Sequence, residues 1–271
     1  MRNSKISIIM GIYNCADMLP EAIESILSQT YTDWELIMCD DASTDRTYEV
    51  AKSYKDRYPD KIILVRNEVN SRLSFSLNHC LQYATGEYIA RMDGDDLSAP
   101  ERFTKQITYL KEHPEVDLVG TAMQRFNDSG YANVDAKPQY PDRYTLRNRI
   151  PFNHATIMTY KRVYDKLGGY TVSERTNRAQ DYDLWFRFYH AGFRGDNLQE
   201  ALYFVREDMS AIKRRTFNVR WNAFKTTRMG YKLLGYPKWW IIRPAVSMVV
   251  KSLIPAGMMM KYREWQKKRN K

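Results

Sequence analysis

The stretch Glu87–Leu97, EYIARMDGDDL, decides how the rest of the chain is read. It starts as a strand and ends as a cluster of acids. Tyr88, Ile89 and Ala90 suit a buried strand. Asp93, Asp95 and Asp96 follow, with Gly94 between them letting the backbone bend. Three neighbouring carboxylates repel one another, so they mark either a solvated acidic turn or the seat of a positive group. Oxygen-only ligands would select a hard cation, Mg²⁺ or Mn²⁺, of the kind shared with a phosphate-bearing substrate.

Working outward, the same grammar of strand and helix repeats on the N-terminal side. Lys5–Tyr13 (KISIIMGIY), Glu35–Asp40 (ELIMCD) and Lys61–Arg66 (KIILVR) read as strands. Leu19, Ala22, Ile23, Ile26 and Leu27 recur at helical spacing, with Pro20 in a first turn. Ser43 or Thr44 is placed to cap a second helix, with Asp45 in its first turn. Leu73, Leu77, Cys80, Leu81 and Ala84 mark a third helix, which Gly86 would end. After the acidic stretch come a helix opened by Pro100 and a strand over Val116–Thr121. Strands alternating with helices predict an α/β fold with parallel pairing. In such sheets ligands bind beyond the carboxyl ends of the strands. Tyr13-Asn14, Asp40-Asp41 and Asp93–Asp96 all fall there, so one crevice should gather them.

Past Thr121 the alternation breaks. Gln124–Pro141 reads as a hairpin or loop excursion. Ala155–Tyr160 (ATIMTY) is another strand, then a short helix ends at Gly168-Gly169. A helix opens near Gln180 or Asp181, and Ala201–Arg206 (ALYFVR) is a last strand. Cys15, Cys39 and Cys80 are odd in number and form no CxxC pair, which suits reduced, buried thiols in the cytosol. Met1–Ile6 runs into the first strand with no charged-then-apolar leader.

The net charge of +10 is unevenly spread. Residues 206–271 hold 17 Lys and Arg against 3 Asp and Glu, whereas residues 1–205 hold 25 against 29. The body is mildly acidic and the tail basic, so the tail should meet an anionic partner, a membrane surface or nucleic acid. Trp239-Trp240, aliphatic and Met clusters and flanking cations describe a segment lying in a membrane interface. Arg243, Pro244, Lys251 and Pro255 interrupt any run of roughly 18 apolar residues, the length a membrane-crossing helix requires. Lys267-Lys268-Arg269 would add attraction to anionic lipids. The alternative is a helix packed on the body with a solvated basic face. Nucleic acid is not expected, because the charge is confined to the end and mixed with Trp, Ile and Met.

Ile6–Asn14 (ISIIMGIYN), Ser25–Tyr31 (SILSQTY), Trp34–Asp45 (WELIMCDDASTD), Gly86–Leu97 (GEYIARMDGDDL) and Ala179–Arg187 (AQDYDLWFR) occur in this order. Together they resemble the family-2 inverting glycosyltransferases of the GT-A fold, over roughly residues 5–210 by that motif span. The resemblance implies a GT-A domain over 1–210, with a nucleotide-sugar half at 1–121 and an acceptor half at 122–210, followed by a basic helical tail at 211–271. It implies sugar transfer from a nucleotide-diphosphate sugar to a saccharide hydroxyl, at the cytoplasmic face of a bacterial-type membrane. The lipid-linked acceptor follows from the tail and the resemblance.

By the same resemblance Asp41 reads the base, usually uracil, whose imide N–H a carboxylate can accept. Asp41 could equally be an acid at a helix N-terminus. Tyr13 and Asn14 match the nucleoside side, Tyr13 alternatively being a core residue at a strand end. Asp95 would bind Mg²⁺ or Mn²⁺ bridging the diphosphate. Asp93 lies near ribose, sugar and metal, and Asp96 is a supporting residue. Asp181 matches the catalytic base, although Gln180 stands where many members carry Glu; Asp183 ranks below it. His154 matches a region lining the acceptor or diphosphate. Arg206, Arg214 and Arg215 are candidate cations for the diphosphate. Arg72 stands where the family commonly has Gly, which puts the geometry of a donor-contacting loop in question.

Rival classes lack their marks. No GxGxxG follows the first strand, no GxxxxGK[ST] occurs, and the four His residues are scattered.

Overall fold

Strand β1 (Ile6–Ile12) is buried almost throughout and lies inside the sheet, flanked in parallel by β2 (Trp34–Asp40) and β4 (Tyr88–Arg91). Such strands read as unbroken apolar runs because helices cover both faces. β3 (Ile62–Arg66) pairs with β2 in parallel and forms one edge. Side chains alternate across the sheet. Ile6, Ile8 and Met10 face the core with α1 (Leu19–Leu27), α2 (Thr47–Arg57) and α4 (Arg102–Glu112). Ile9, Ile37 and Ile89 face α3 (Leu73–Tyr83) and α6 (Gln180–His190). The computed structural model describes residues 4–127, 130–207 and 216–253. The expectations for Arg214, Arg215 and Lys267-Lys268-Arg269 lie outside the described residues.

The second half departs from parallel pairing. β8 (Met158–Tyr160) runs antiparallel between β4 and β6 (Leu118–Asn127). It is reached from β6 by a hairpin and irregular chain, and parallel pairing needs a longer crossover, usually a helix. β7 (Gly130–Asp135) forms that hairpin on β6, as the turn residues of this region predicted. β6 pairs in parallel with β9 (Gly195–Arg206), and β5 (Leu97–Ser98) closes onto β9 antiparallel. Thus the sheet order is β3-β2-β1-β4-β8-β6-β9-β5, with β7 beside β6. The β5–β9 pairing folds the chain after the acidic turn back onto the last strand.

Two local expectations change. Ser43 and Thr44 do not cap α2, which starts at Thr47 after Arg46; both instead bond Asn14 across the crevice. Gly86 does not terminate α3, whose last residue is Tyr83. A Cβ at Gly86 would lie 2.4 Å from the Lys5 carbonyl, so the glycine allows close backbone approach. Gly168, after α5 (Lys161–Leu167), does take the left-handed cap conformation.

The C-terminal helices are not detached. α7 (Phe217–Leu233) packs on α6, with Gly230 set against the Phe186 ring so closely that a Cβ would lie 2.1 Å from it. Tyr231, Leu234 and Tyr236 join the core that holds Trp185 and Phe188. A 3₁₀ turn at Lys238–Ile241 leads into α8 (Ile242–Leu253). Among the described residues no helix is long and apolar enough to cross a membrane. Cys15, Cys39 and Cys80 are free and buried.

Candidate active site

The ends of β1, β2 and β3 build one corner of the crevice. Asp41 follows β2 and is buried. Its carboxylate accepts from Asn67 Nδ2 at 2.7 Å, Ser71 N at 2.8 Å and Arg72 N at 2.8 Å. The helix-terminus reading of Asp41 fails, since α2 begins six residues later. About four lone-pair sites belong to a carboxylate, so three donors leave room for one more. Asn14 is left-handed at φ 49° and accepts from Thr44 N at 2.9 Å. Tyr13 is 47% exposed, which removes the core-residue alternative.

Arg72 has φ 75° and ψ 164°, a region that is close to glycine-only. The strain persists because Asp41 holds the amides of Ser71 and Arg72 together. The departure from Gly therefore keeps the loop's glycine-like geometry and adds an exposed guanidinium at the start of α3.

The acidic turn builds the second corner. Gly94 lets it press on the first, since a Cβ there would lie 2.9 Å from Ile12 and 3.2 Å from Cys15 Sγ. Asp93, Asp95 and Asp96 each offer an oxygen within 4.8 Å of the others. Burial and the Asp93 charge raise Asp95 to about 6. Burial and both neighbouring acids push Asp96 well above the usual carboxylate range. This donor set fits a hard divalent cation: all oxygen, anionic, and short of positive charge. Asp96 is the most committed of the three, accepting from Arg206 N at 2.9 Å and from the Tyr203 hydroxyl. Arg206 also reaches the Asp95 carbonyl at 3.3 Å and pairs with Glu21 at 2.5 Å, so the turn is tied to the end of β9.

Three residues not singled out from the sequence complete this corner. Arg91, the last residue of β4, is buried and ion-pairs with Asp93, its Nε having no partner among the described residues. Tyr203 accepts from Asp93 N at 3.0 Å and donates to Asp96, bridging both ends of the turn. Arg102 is fully buried beneath, its guanidinium 4.9 Å from the Tyr203 ring centroid. It donates to Gln106 and to the Arg91 and Ala155 carbonyls. Among the described residues it has no carboxylate partner. Burial, with the Arg91 charge behind it, pushes it down to about 10.

The Arg91 charge also acts on both His154 and Asp181. Asp181 sits in the first turn of α6 and accepts from Tyr182 N at 2.9 Å. It is packed deep among protein atoms yet keeps part of its surface open, and burial raises its pKa above the ordinary carboxylate value. Asp183 turns away to Thr171 at 2.6 Å, Arg175 at 2.7 Å and Arg187 at 2.8 Å. Burial opposes its charge, but these bonds and cations hold its pKa below the usual range. Its role is to brace α6. His154 is kept neutral by burial and by Arg91, and its Nε2 lies 2.8 Å from the Tyr170 hydroxyl. Tyr170 in turn meets Tyr164 at 2.7 Å, and its backbone is clamped by Asn78 of α3.

The architecture matches known proteins. The model of the family described as "Glycosyl transferase family 2" matches residues 7–168. The putative glycosyltransferase EpsE of Bacillus subtilis (strain 168) is 47% identical over 261 residues, 95% of this chain and 92% of that protein. The UDP-Glc:alpha-D-GlcNAc-diphosphoundecaprenol beta-1,3-glucosyltransferase WfaP of Escherichia coli is 28% identical over 208 residues, 74% of this chain and 77% of that protein. The crystal structure of S. aureus TarS 1-349 in complex with UDP shares the fold, with a TM-score of 0.69 at 19% identity over 90% of this chain and 70% of that one. With the family model covering more than half of its length, the chain belongs to glycosyl transferase family 2, and it is a GT-A-fold glycosyltransferase.

Proposed function

We propose that the protein performs a metal-dependent inverting transfer of a sugar from a UDP-sugar to a hydroxyl of a lipid-linked saccharide in envelope polysaccharide synthesis. The acid cluster with a deficit of positive charge carries this reading. Asp41 takes the imide N–H of uracil with its remaining acceptor site, beside Tyr13, Asn14 and Arg72. Asp93 and Asp95 would hold Mg²⁺ or Mn²⁺, with Asp96 supporting them. A bound divalent cation supplies Lewis-acid stabilisation of the negative charge on the departing diphosphate. Arg206 adds a cation to that side, and His154 lines the sugar or acceptor.

Asp181 takes the proton of the acceptor hydroxyl as its oxygen bonds to the anomeric carbon. The bond from that carbon to the diphosphate oxygen breaks in the same displacement, and the nucleoside diphosphate leaves. Burial that raises the Asp181 pKa makes it a stronger base than a solvated carboxylate. WfaP is named for action on a diphosphoundecaprenol-linked sugar and TarS was crystallised with UDP, which supports this choice of acceptor and nucleotide. The basic C-terminal segment would hold the enzyme at the inner face of the membrane, where such acceptors lie. A donor-hydrolysis screen across UDP-, GDP- and dTDP-sugars with Mg²⁺ or Mn²⁺ tests the reading. Hydrolysis confined to UDP-sugars and abolished by chelation supports it, and metal-independent turnover of another nucleotide sugar contradicts it.

A further inference from the structure

The membrane half of the proposed function leaves open which surface meets the lipid and how it is fixed to the catalytic body. Trp239, Ile242, Val246, Val249, Val250 and Leu253 recur at spacings of three, four and seven. That spacing places them along one side of α8 and the turn before it. All are about half exposed or more, Trp239 at 63% and Leu253 at 77%. A contiguous apolar stripe of this size on an otherwise charged surface marks an interaction site. The opposite side of the same segment is occupied. Trp240 packs 5.0 Å from Tyr236, and the Arg147 guanidinium lies 4.3 Å from the Trp240 ring. Arg243 bonds Asn148, and Arg143 bonds the Leu234 carbonyl. The 3₁₀ segment Arg143–Arg147 of the catalytic body thus braces the helix.

Charge decides the occupant. Residues 209–263 contain 12 Lys and Arg and no Asp or Glu. Arg228 and Lys232 on α7 and Lys238 in the turn before α8 are exposed. A second copy of the chain would bring the same cations face to face, whereas an anionic leaflet complements them. Trp beside aliphatic residues, with cations at the flanks, is the composition of a helix lying in a headgroup interface.

Resting on that membrane reading, we propose that the Trp239–Leu253 stripe is the face that enters an anionic bilayer interface. Its brace on Arg143–Arg147 makes the body bind in one orientation. Flotation of the full-length protein with phosphatidylglycerol-containing vesicles tests it, beside Val246→Glu/Val249→Glu and, as an independent variant, Leu253→Glu. Wild type should float with anionic vesicles at least tenfold more than with pure phosphatidylcholine. Both variants should lose at least tenfold of that binding while soluble donor hydrolysis stays unchanged. An environment-sensitive dye on Val249→Cys should shift blue with vesicles, and one on Lys52→Cys, exposed on α2, should not. If the variants float like wild type, or the Lys52 dye shifts as well, this face or its fixed orientation is wrong while membrane binding stands. If wild type does not float, the membrane reading falls with it. A stripe variant that changes oligomeric state instead of flotation assigns the face to a second copy and overturns the proposal.

Discussion

The two acidic corners of the crevice solve the same electrostatic problem in opposite ways. At Asp41 the protein supplies the compensation itself: one side-chain amide and two backbone N–H groups donate to a buried carboxylate. Hydrogen bonds to an ionised group each contribute about 1.5–3 kcal/mol, so this corner is set before any ligand arrives. At Asp93–Asp96 the protein supplies less than the charge requires. Arg91 pairs with Asp93, Arg206 N and Tyr203 serve Asp96, and Asp95 is left facing its neighbours with a raised pKa. In the proposed function the first corner, already set, reads a neutral donor group. The other is shaped for a charge that comes from outside.

This contrast predicts opposite responses. Asp41→Ala should lower stability without any metal by about 2–5 kcal/mol, since it orphans two amides of a strained loop and Asn67. Thermal unfolding of the metal-free protein measures it, and an unchanged midpoint would remove the preorganised corner. Asp95→Asn should leave that midpoint equal or higher, because it relieves repulsion. It should abolish the rise in midpoint that Mn²⁺ with UDP gives the wild type, about 2.7 kcal/mol at a hundredfold excess over Kd. Retention of that rise would show that the turn does not hold the cation.

Smaller effects sharpen the comparison. Tyr203→Phe removes the hydroxyl that joins Asp93 N to Asp96 while keeping the ring on Arg102. Loss of bonds to charged groups at about 1.5–3 kcal/mol should raise the Mn²⁺ concentration for half-activity roughly tenfold or more, at little cost to the metal-free fold. A shift in thermal stability alone would make Tyr203 merely structural. Arg72→Gly should stabilise the protein by roughly 0.5–1 kcal/mol by releasing the φ 75° strain, net of glycine's greater unfolded-state freedom. The same variant should weaken donor binding if the guanidinium contacts it. Calorimetry and denaturant titration separate the two.

What was legible in the sequence follows from how each residue acts. Asp41, Asp93 and Asp95 lie just past strand ends, and strand order in the first half follows from unbroken apolar runs with helices between them. Tyr203 and Arg102 were illegible because their meaning depends on distant contacts: Asp93 N and Tyr203 are 110 residues apart. A buried arginine with carbonyl partners looks like surface charge in a string of letters. Arg91 stood inside the deciding stretch, yet only its burial separates it from a solvated strand-end cation. Ser43 and Thr44 carried a capping signal, and Asn14 in the bend after β1 outcompeted it. The direction of β8 was not legible, because it is set by the hairpin and irregular chain that precede it and not by a strand–helix alternation.

In the proposed mechanism the work is divided, with the metal at the acidic turn and proton removal at Asp181. Asp181→Asn tests it most directly through transfer rate and UDP-sugar affinity in the presence of Mn²⁺. Transfer should fall by about 10²–10⁴-fold with affinity nearly unchanged. The carboxyl's folded-state pKa is raised, so its ionised form destabilises the fold as pH rises from the unfolded value through the folded one. The neutral amide should therefore be at least as stable as wild type near pH 7. Substantial turnover by Asp181→Asn would remove Asp181 from the base role, and loss of donor affinity together with transfer would make it a donor-binding residue instead.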